Sequence, residues 1–162
     1  MSWQNEMARI VRFLVNDLEG DSYTDARLEE TILVAAQLMY ANIDFDNTYT
    51  IDVDTLALSP DPTDATKDDW FINIVCTKAA CIILGSEAKT MAAQSYAIKD
   101  GPSTIDTRGA YQATQQMYKD MGDKLDKMIV DYKAGNSVAG HAVSTPYTQE
   151  RINSGNPIRN FT

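Results

Sequence analysis

A chain of 162 residues, 44% of them hydrophobic, can bury one core and is short for two domains. Its net charge of −9 is unevenly spread: residues 1–69 carry fifteen acids and four bases, residues 70–162 eight acids and ten bases. The acidic half excludes a wrapping, phosphate-gripping DNA binder, which needs clustered Lys and Arg, though not a surface past which DNA slides.

No window approaches the ~18–20 uninterrupted apolar residues of a membrane span. The start, Met-Ser-Trp-Gln-Asn-Glu, lacks the basic and apolar blocks of a signal peptide. The expectation is a soluble protein made in a cytoplasm, with no membrane partner. The two cysteines, Cys76 and Cys81, lie five apart in an apolar run that reads as helix, where their side chains diverge and a disulfide is sterically poor. They read as buried free thiols. A single histidine, His141, gives a zinc site or a His-based dyad too little to work with.

In chain order, Trp3, Met7, Ile10, Leu14 and Leu18 recur at alternating steps of four and three, predicting a helix over about Trp3 to Asp17, stopped by Gly20. Thr24 is a good N-cap with Asp25 in the first turn, and Leu28, Ile32, Ala35 and Met39 form the stripe of a second helix. These two helices make an antiparallel pair. From residue 44 the period drops to two: Tyr49, Ile51 and Val53 alternate with Thr50, Asp52 and Asp54, as in a half-exposed strand. A β-arm over about residues 44–65 breaks up at Ser59-Pro60-Asp61-Pro62-Thr63-Asp64, a turn-forming cluster.

A third helix starts near Thr66, with Asp68 and Asp69 suited to its first turn. It is apolar around most of its circumference through Leu84, as a buried central helix must be. Gly85 is placed to bend or interrupt it, and helix-forming residues continue to Tyr96. Residues 98–106 read as a turn or small hairpin between two isoleucines. The strongest periodicity is the fourth helix, Thr107 to Ala134, with Tyr111, Thr114, Tyr118, Met121, Leu125, Met128 and Tyr132 on one stripe. That stripe reads first as core against helices two and three, and secondly as a face shared with a neighbouring subunit. Gly135-Asn136 ends the helix. Residues 136–162 lack a sustained period and read as a flexible arm, unable alone to offset its ordering entropy. The fold class is therefore mainly α, a bundle of about four helices (1–135) with an inserted β-arm and an extended C-terminal arm.

The candidate sites follow. Eight aspartates lie between residues 44 and 69, but without the ligand order, central glycine and closing glutamate of a calcium loop. They read as a solvated loop whose charge discourages strand pairing between molecules. Asp52 and Asp54 share a strand face, yet glycoside chemistry also needs an aromatic-lined sugar cleft. No nucleophile elbow, phosphate loop or dinucleotide fingerprint is present. Tyr147, Arg151, Ile152, Ile158, Arg159 and Phe161 are candidate anchors for a partner groove, being aromatic, aliphatic and Arg residues on a mobile arm.

The order of elements resembles the head-to-tail connector proteins of tailed bacteriophages, also called adaptor, head-completion or neck proteins. The resemblance runs over residues 5–150. It is carried by Tyr23-Thr24-Asp25-Ala26-Arg27-Leu28-Glu29-Glu30-Thr31-Ile32-Leu33-Val34-Ala35-Ala36, by Asp69 to Leu84, and by Ile98-Lys99-Asp100-Gly101-Pro102-Ser103-Thr104-Ile105-Asp106. It implies a non-enzymatic, cofactor-free virion protein in a ring of twelve copies under the portal protein, between capsid and tail. Its partners would be the portal, neighbouring copies and a downstream tail or stopper protein, with genome DNA passing through unbound. The C-terminal arm would lie in or along the portal. Asp52, Asp54, Asp61 and Asp64 are candidate channel-facing acids, because like charge keeps a moving duplex from sticking. Two other classes stand beside this reading: a helical scaffolding or regulatory module that binds a cellular partner through its tail, and an enzyme using the Asp cluster with a divalent metal.

Overall fold

The computed structural model describes residues 2–64, 66–94, 97–100, 103–106 and 108–135. The chain divides into Met1–Ile129 and Val130–Thr162, the described part of the second being the helical stretch 130–135. The element order is α1 (Trp3–Val15), α2 (Asp25–Tyr40), β1 (Thr50–Asp52), β2 (Ala57–Ser59), α3 (Asp69–Gln94), β3 (Ala97–Asp100), β4 (Ser103–Asp106) and α4 (Arg108–Gly135). The fold is mainly helical, with two antiparallel two-stranded hairpins, β1–β2 and β3–β4. The expected C-terminal arm, 136–162, lies outside the described residues.

Periodicity positions the first two helices. On α1, Trp3 and Met7 are buried as their spacing predicts, Ile10 and Leu14 are half-buried and Val11, off the stripe, is buried, while on α2 Leu28, Ile32, Ala35 and Met39 are all buried as predicted. Thr24 caps α2, its hydroxyl accepting the Arg27 N–H at 3.4 Å. α1 ends two residues earlier than expected. Asn16 takes a left-handed conformation, φ 59°, which asparagine tolerates better than most residues, and its N–H closes on the Arg12 carbonyl. Leu18, counted on the stripe, is consequently carried out to 56% exposure. Asp17 turns inward instead. Gly20 holds φ 78°, and a β-carbon there would come within 3.0 Å of the Arg12 guanidinium, so both backbone and space call for glycine.

The β-arm is a complete hairpin, Thr50 facing Ser59, Ile51 facing Leu58 and Asp52 facing Ala57. Its return strand was hidden in the sequence, being only three residues without a run of alternation. Leu56 sits at φ 51° and packs its side chain on the core, a contact that offsets the cost of about 1–2 kcal/mol for a left-handed non-glycine residue. The Ser59–Pro60 peptide is cis.

α3 is the centre. It packs on α1 and α2, and Phe71, Ile72, Ile74, Val75, Cys76, Ala79, Ala80, Ile83 and Leu84 are all buried. It starts at Asp69 rather than Thr66, because Asp68 stands outside the first turn as its cap: the carboxylate accepts the Phe71 N–H at 3.0 Å. Gly85 does not interrupt it, and the helix runs unbroken to Gln94. A β-carbon at Gly85 would lie 3.1 Å from the Tyr118 ring, so this glycine is a close-approach point for α4. The membrane reading also changes in one respect. By length and composition α3 is apolar enough to cross a bilayer, although 67% of its apolar window is buried inside the protein, as for a core helix. Cys76 and Cys81 are buried and unbonded to each other.

The hairpin is fastened to α3 by aromatic rings. Tyr49 stacks on Phe71 at 4.1 Å between centroids, and Phe45 meets Phe71 edge-on at 5.1 Å, geometries that add to simple burial. Phe71 is fully buried at the junction of α3 and the arm. Phe71→Ala is expected to lower unfolding stability by about 3–5 kcal/mol, measured as a lower urea midpoint.

Candidate functional site

The acidic arm divides its carboxylates between structure and surface. Asp61 is half-buried. It accepts the Trp3 N–H at 3.0 Å, the Thr63 N–H at 2.9 Å and the Thr63 hydroxyl at 2.7 Å. Ser2, the N-cap of α1, makes no side-chain cap, so Asp61 supplies the missing acceptor from 58 residues away and sets a negative charge at a helix N-terminus, where the dipole favours it. Asp52 accepts the N–H groups of Asp54 and Thr55 at 3.0 and 3.1 Å and shapes the hairpin loop. Asp68 additionally receives the Asn47 amide at 2.9 Å and the Tyr49 hydroxyl at 2.8 Å. Asp54 and Asp64 are exposed. Of the four candidate channel-facing acids, Asp52, Asp54 and Asp64 are thus exposed, Asp52 while holding its own loop, and only Asp61 is drawn partly inside the arm. Among the described residues no group of three His, Cys, Asp or Glu could hold a metal ion.

A second cluster closes the α1–α2 turn. Asp17 accepts the Ser22 N–H at 3.0 Å and the Tyr23 N–H at 3.2 Å and pairs with Arg12 at 2.7 Å. The other guanidinium nitrogen bridges Asp25 at 2.7 Å and the Tyr23 carbonyl at 2.9 Å. The Ser22 N–H above all, then the Tyr23 N–H and Arg12, outweigh burial and hold the Asp17 carboxyl below its ordinary value. Burial by itself would raise Asp61, but Thr63 and the Trp3 N–H carry it below as well. Tyr23 reaches Glu87 of α3 through its hydroxyl, tying the turn to the central helix. The Cys76 thiol is pushed up to about 12 by burial, which suppresses thiolate chemistry.

The remaining features are apolar and exposed. Phe13 is 66% exposed and Met117 51%. Phe13 and Leu18 edge a groove between α1 and α2. A separate groove of about 520 Å³ runs between α3 and α4, lined by Cys81, Ile82, Gly85, Ala88, Tyr111 and Tyr118 among others. The α4 stripe therefore differs from its core expectation. Leu125 and Tyr132 are buried, but Tyr111, Thr114, Met121 and Met128 are half-buried and Tyr118 is 43% exposed. α4 meets α3 where the Thr77 and Thr114 hydroxyls approach the Met128 and Met91 sulfurs, and meets α1 across a cleft lined by Leu14, Met117 and Met121. Phe13 was the overlooked residue. Its signal was present, since a phenylalanine off the Trp3–Met7–Ile10–Leu14 stripe of an amphipathic helix has to point outward.

The tail anchors Tyr147, Arg151, Ile152, Ile158, Arg159 and Phe161, and His141, lie outside the described residues. The chain matches no family model, no curated protein and no solved structure.

Asp17 and Asp61 ionise more readily folded than unfolded, so their contribution to stability is fully present above about pH 4, the ordinary carboxylate range, and is lost as pH falls through their lowered values. Asp17→Asn is expected to be less stable than the parent at neutral pH and to converge on it in acid, as read by urea unfolding at about pH 7 and pH 3. A gap of unchanged size at both would assign the loss to packing.

Proposed function

We propose that this chain is a non-catalytic structural subunit of a tailed-bacteriophage neck: a ring protein, of twelve copies, that joins the capsid portal to the tail and prolongs the DNA channel. It is made in the host cytoplasm and works in the virion. The observation that carries this reading is a mismatch between core and surface. Helices α1–α3 and the β1–β2 arm enclose a buried core, yet Phe13, Leu18, Leu38, Trp70, Met117 and Tyr118 remain between 43% and 66% exposed. Large apolar side chains left in water around a finished core are what a subunit brings to its neighbours.

The acidic arm supports the same reading. Asp54 and Asp64, exposed on a hairpin and loop anchored through Asp61 and Asp68, are negative charges on a fixed support, suited to keeping a passing duplex from adhering. The tail residues Tyr147, Arg151, Ile152, Ile158, Arg159 and Phe161 are the proposed portal anchor, and the next tail or stopper protein is the proposed partner on the opposite side. No cofactor is required by this role.

Electron microscopy of the purified protein mixed with the portal from the same genome tests this, with a chain truncated after Gly135 in parallel. An added ring with the full chain and its loss on truncation is the expected result. Density with both chains would move the anchor into the folded domain. Density with neither would overturn the connector reading in favour of a helical module serving a cellular partner.

A further inference from the structure

We infer that α4 is a lid: it comes away from α3 as a unit while α1, α2, α3 and the β1–β2 arm stay folded. This goes beyond the ring reading and holds whether or not that reading does. The first observation is that the core closes without α4. The main buried cluster draws on α1, α2, the arm and α3, and neither its members nor the half-buried side chains packed on it include a described residue of α4. Between Tyr111 and Ile129, Leu125 alone is buried.

The second observation is the kind of contact α4 makes. The first two helices are held by charged staples: Asp61 on the Trp3 N–H, Arg12 between Asp17 and Asp25, and the Tyr23 hydroxyl on Glu87 of α3. α4 instead meets α3 where the Tyr118 ring lies over Gly85, and where the Thr77 and Thr114 hydroxyls stand 3.8 and 3.1 Å from the Met128 and Met91 sulfurs. A thioether is a weak acceptor, and methionine adapts its packing to new surroundings. Such contacts are lost and remade with little change in energy.

The third observation is the space on either side of that seam. One flank is the groove of about 520 Å³ beside Gly85, Ala88 and Tyr111, and the other a cleft of about 260 Å³ lined by Leu14, Leu84, Met117 and Met121. α4 therefore rests on α3 along a ridge and not over a whole face, and side chains bordering a gap forgo the dispersion contacts of a filled one. Beneath the lid lie Cys81, Leu84 and Ala88, each less than a tenth exposed yet outside the main cluster. Opening uncovers this second apolar face of α3. It exposes far less surface than unfolding the chain, so it lies at the low end of the range of opening energies a fold contains.

Native-state hydrogen exchange on the purified full chain, in urea below the unfolding transition, tests this without any portal. The slowest amides of residues 115–129 should exchange faster than the slowest of α2, and with a weaker dependence on urea, because the slope reports the surface exposed. Core substitutions then separate the two openings. Phe71→Ala weakens packing that the lid-open state retains, so it should speed the slowest α2 amides by at least about a hundredfold and leave those of α4 within about threefold of wild type. Ile32→Val, a milder change at a fully buried site on α2, should do the same with about a three- to tenfold effect on α2.

Equal rates and equal urea slopes for α2 and α4 in the wild type would overturn the lid, since α4 would then open only with the whole fold. So would α4 amides that speed up in step with those of α2 in either variant. Should Phe71→Ala fail to fold, Ile32→Val decides alone.

Discussion

A helix apolar around its circumference cannot face water, and α3 is such a helix. Everything else in the domain is arranged to cover it. α1 and α2 pair because each contributes one apolar stripe and neither alone spans the surface that α3 presents. The β1–β2 arm completes the cover at its start, where Tyr49 and Phe45 lie on Phe71. α4 covers it least completely, and the groove beside Gly85 is what remains uncovered.

This cover is held in register by carboxylates that face inward. Asp61 ties the loop after the arm to the first N–H of α1, and Asp68 ties the arm to the start of α3 through Tyr49 and Asn47. Asp17 and Arg12 fix the α1–α2 turn, which Tyr23 connects to Glu87. The acidity of the first half is therefore two things at once. Part of it satisfies backbone donors, where a side chain without an acceptor would leave a half-buried N–H unsatisfied. The rest is surface charge.

The sequence shows its helices wherever one face is buried and one is wet, because period then records burial directly. Trp3 and Met7, and Leu28, Ile32 and Ala35, are legible for that reason, whereas Val11 lies off the stripe and is buried all the same. Boundaries are not, because Asp68 and Asp69 are equally good at a helix start and only their acceptors separate cap from first turn. Gly85 misleads because propensity describes an isolated helix, whereas here Tyr118 occupies the space a side chain would need. The α4 stripe misleads differently: spacing announces a face, but not whether the chain itself or another molecule covers it. The short strand β2 has too few residues to show a period. Of the candidate site, the acids were visible as composition and their division into structural and exposed groups was not. The aromatic knob at Phe13 was visible only as a residue out of phase.

The asymmetry of charge follows the same division of labour. The acids that cap and staple fall in residues 1–69, where turns and hairpins leave backbone N–H groups to be satisfied, while α3 and α4 satisfy their own backbones and carry lysines on their wet sides. Residues 1–69 are consequently negative and residues 70–162 weakly positive in part for reasons of folding. Asp54 and Asp64 are exposed instead, and in the proposed ring they would be among the charges a passing duplex meets.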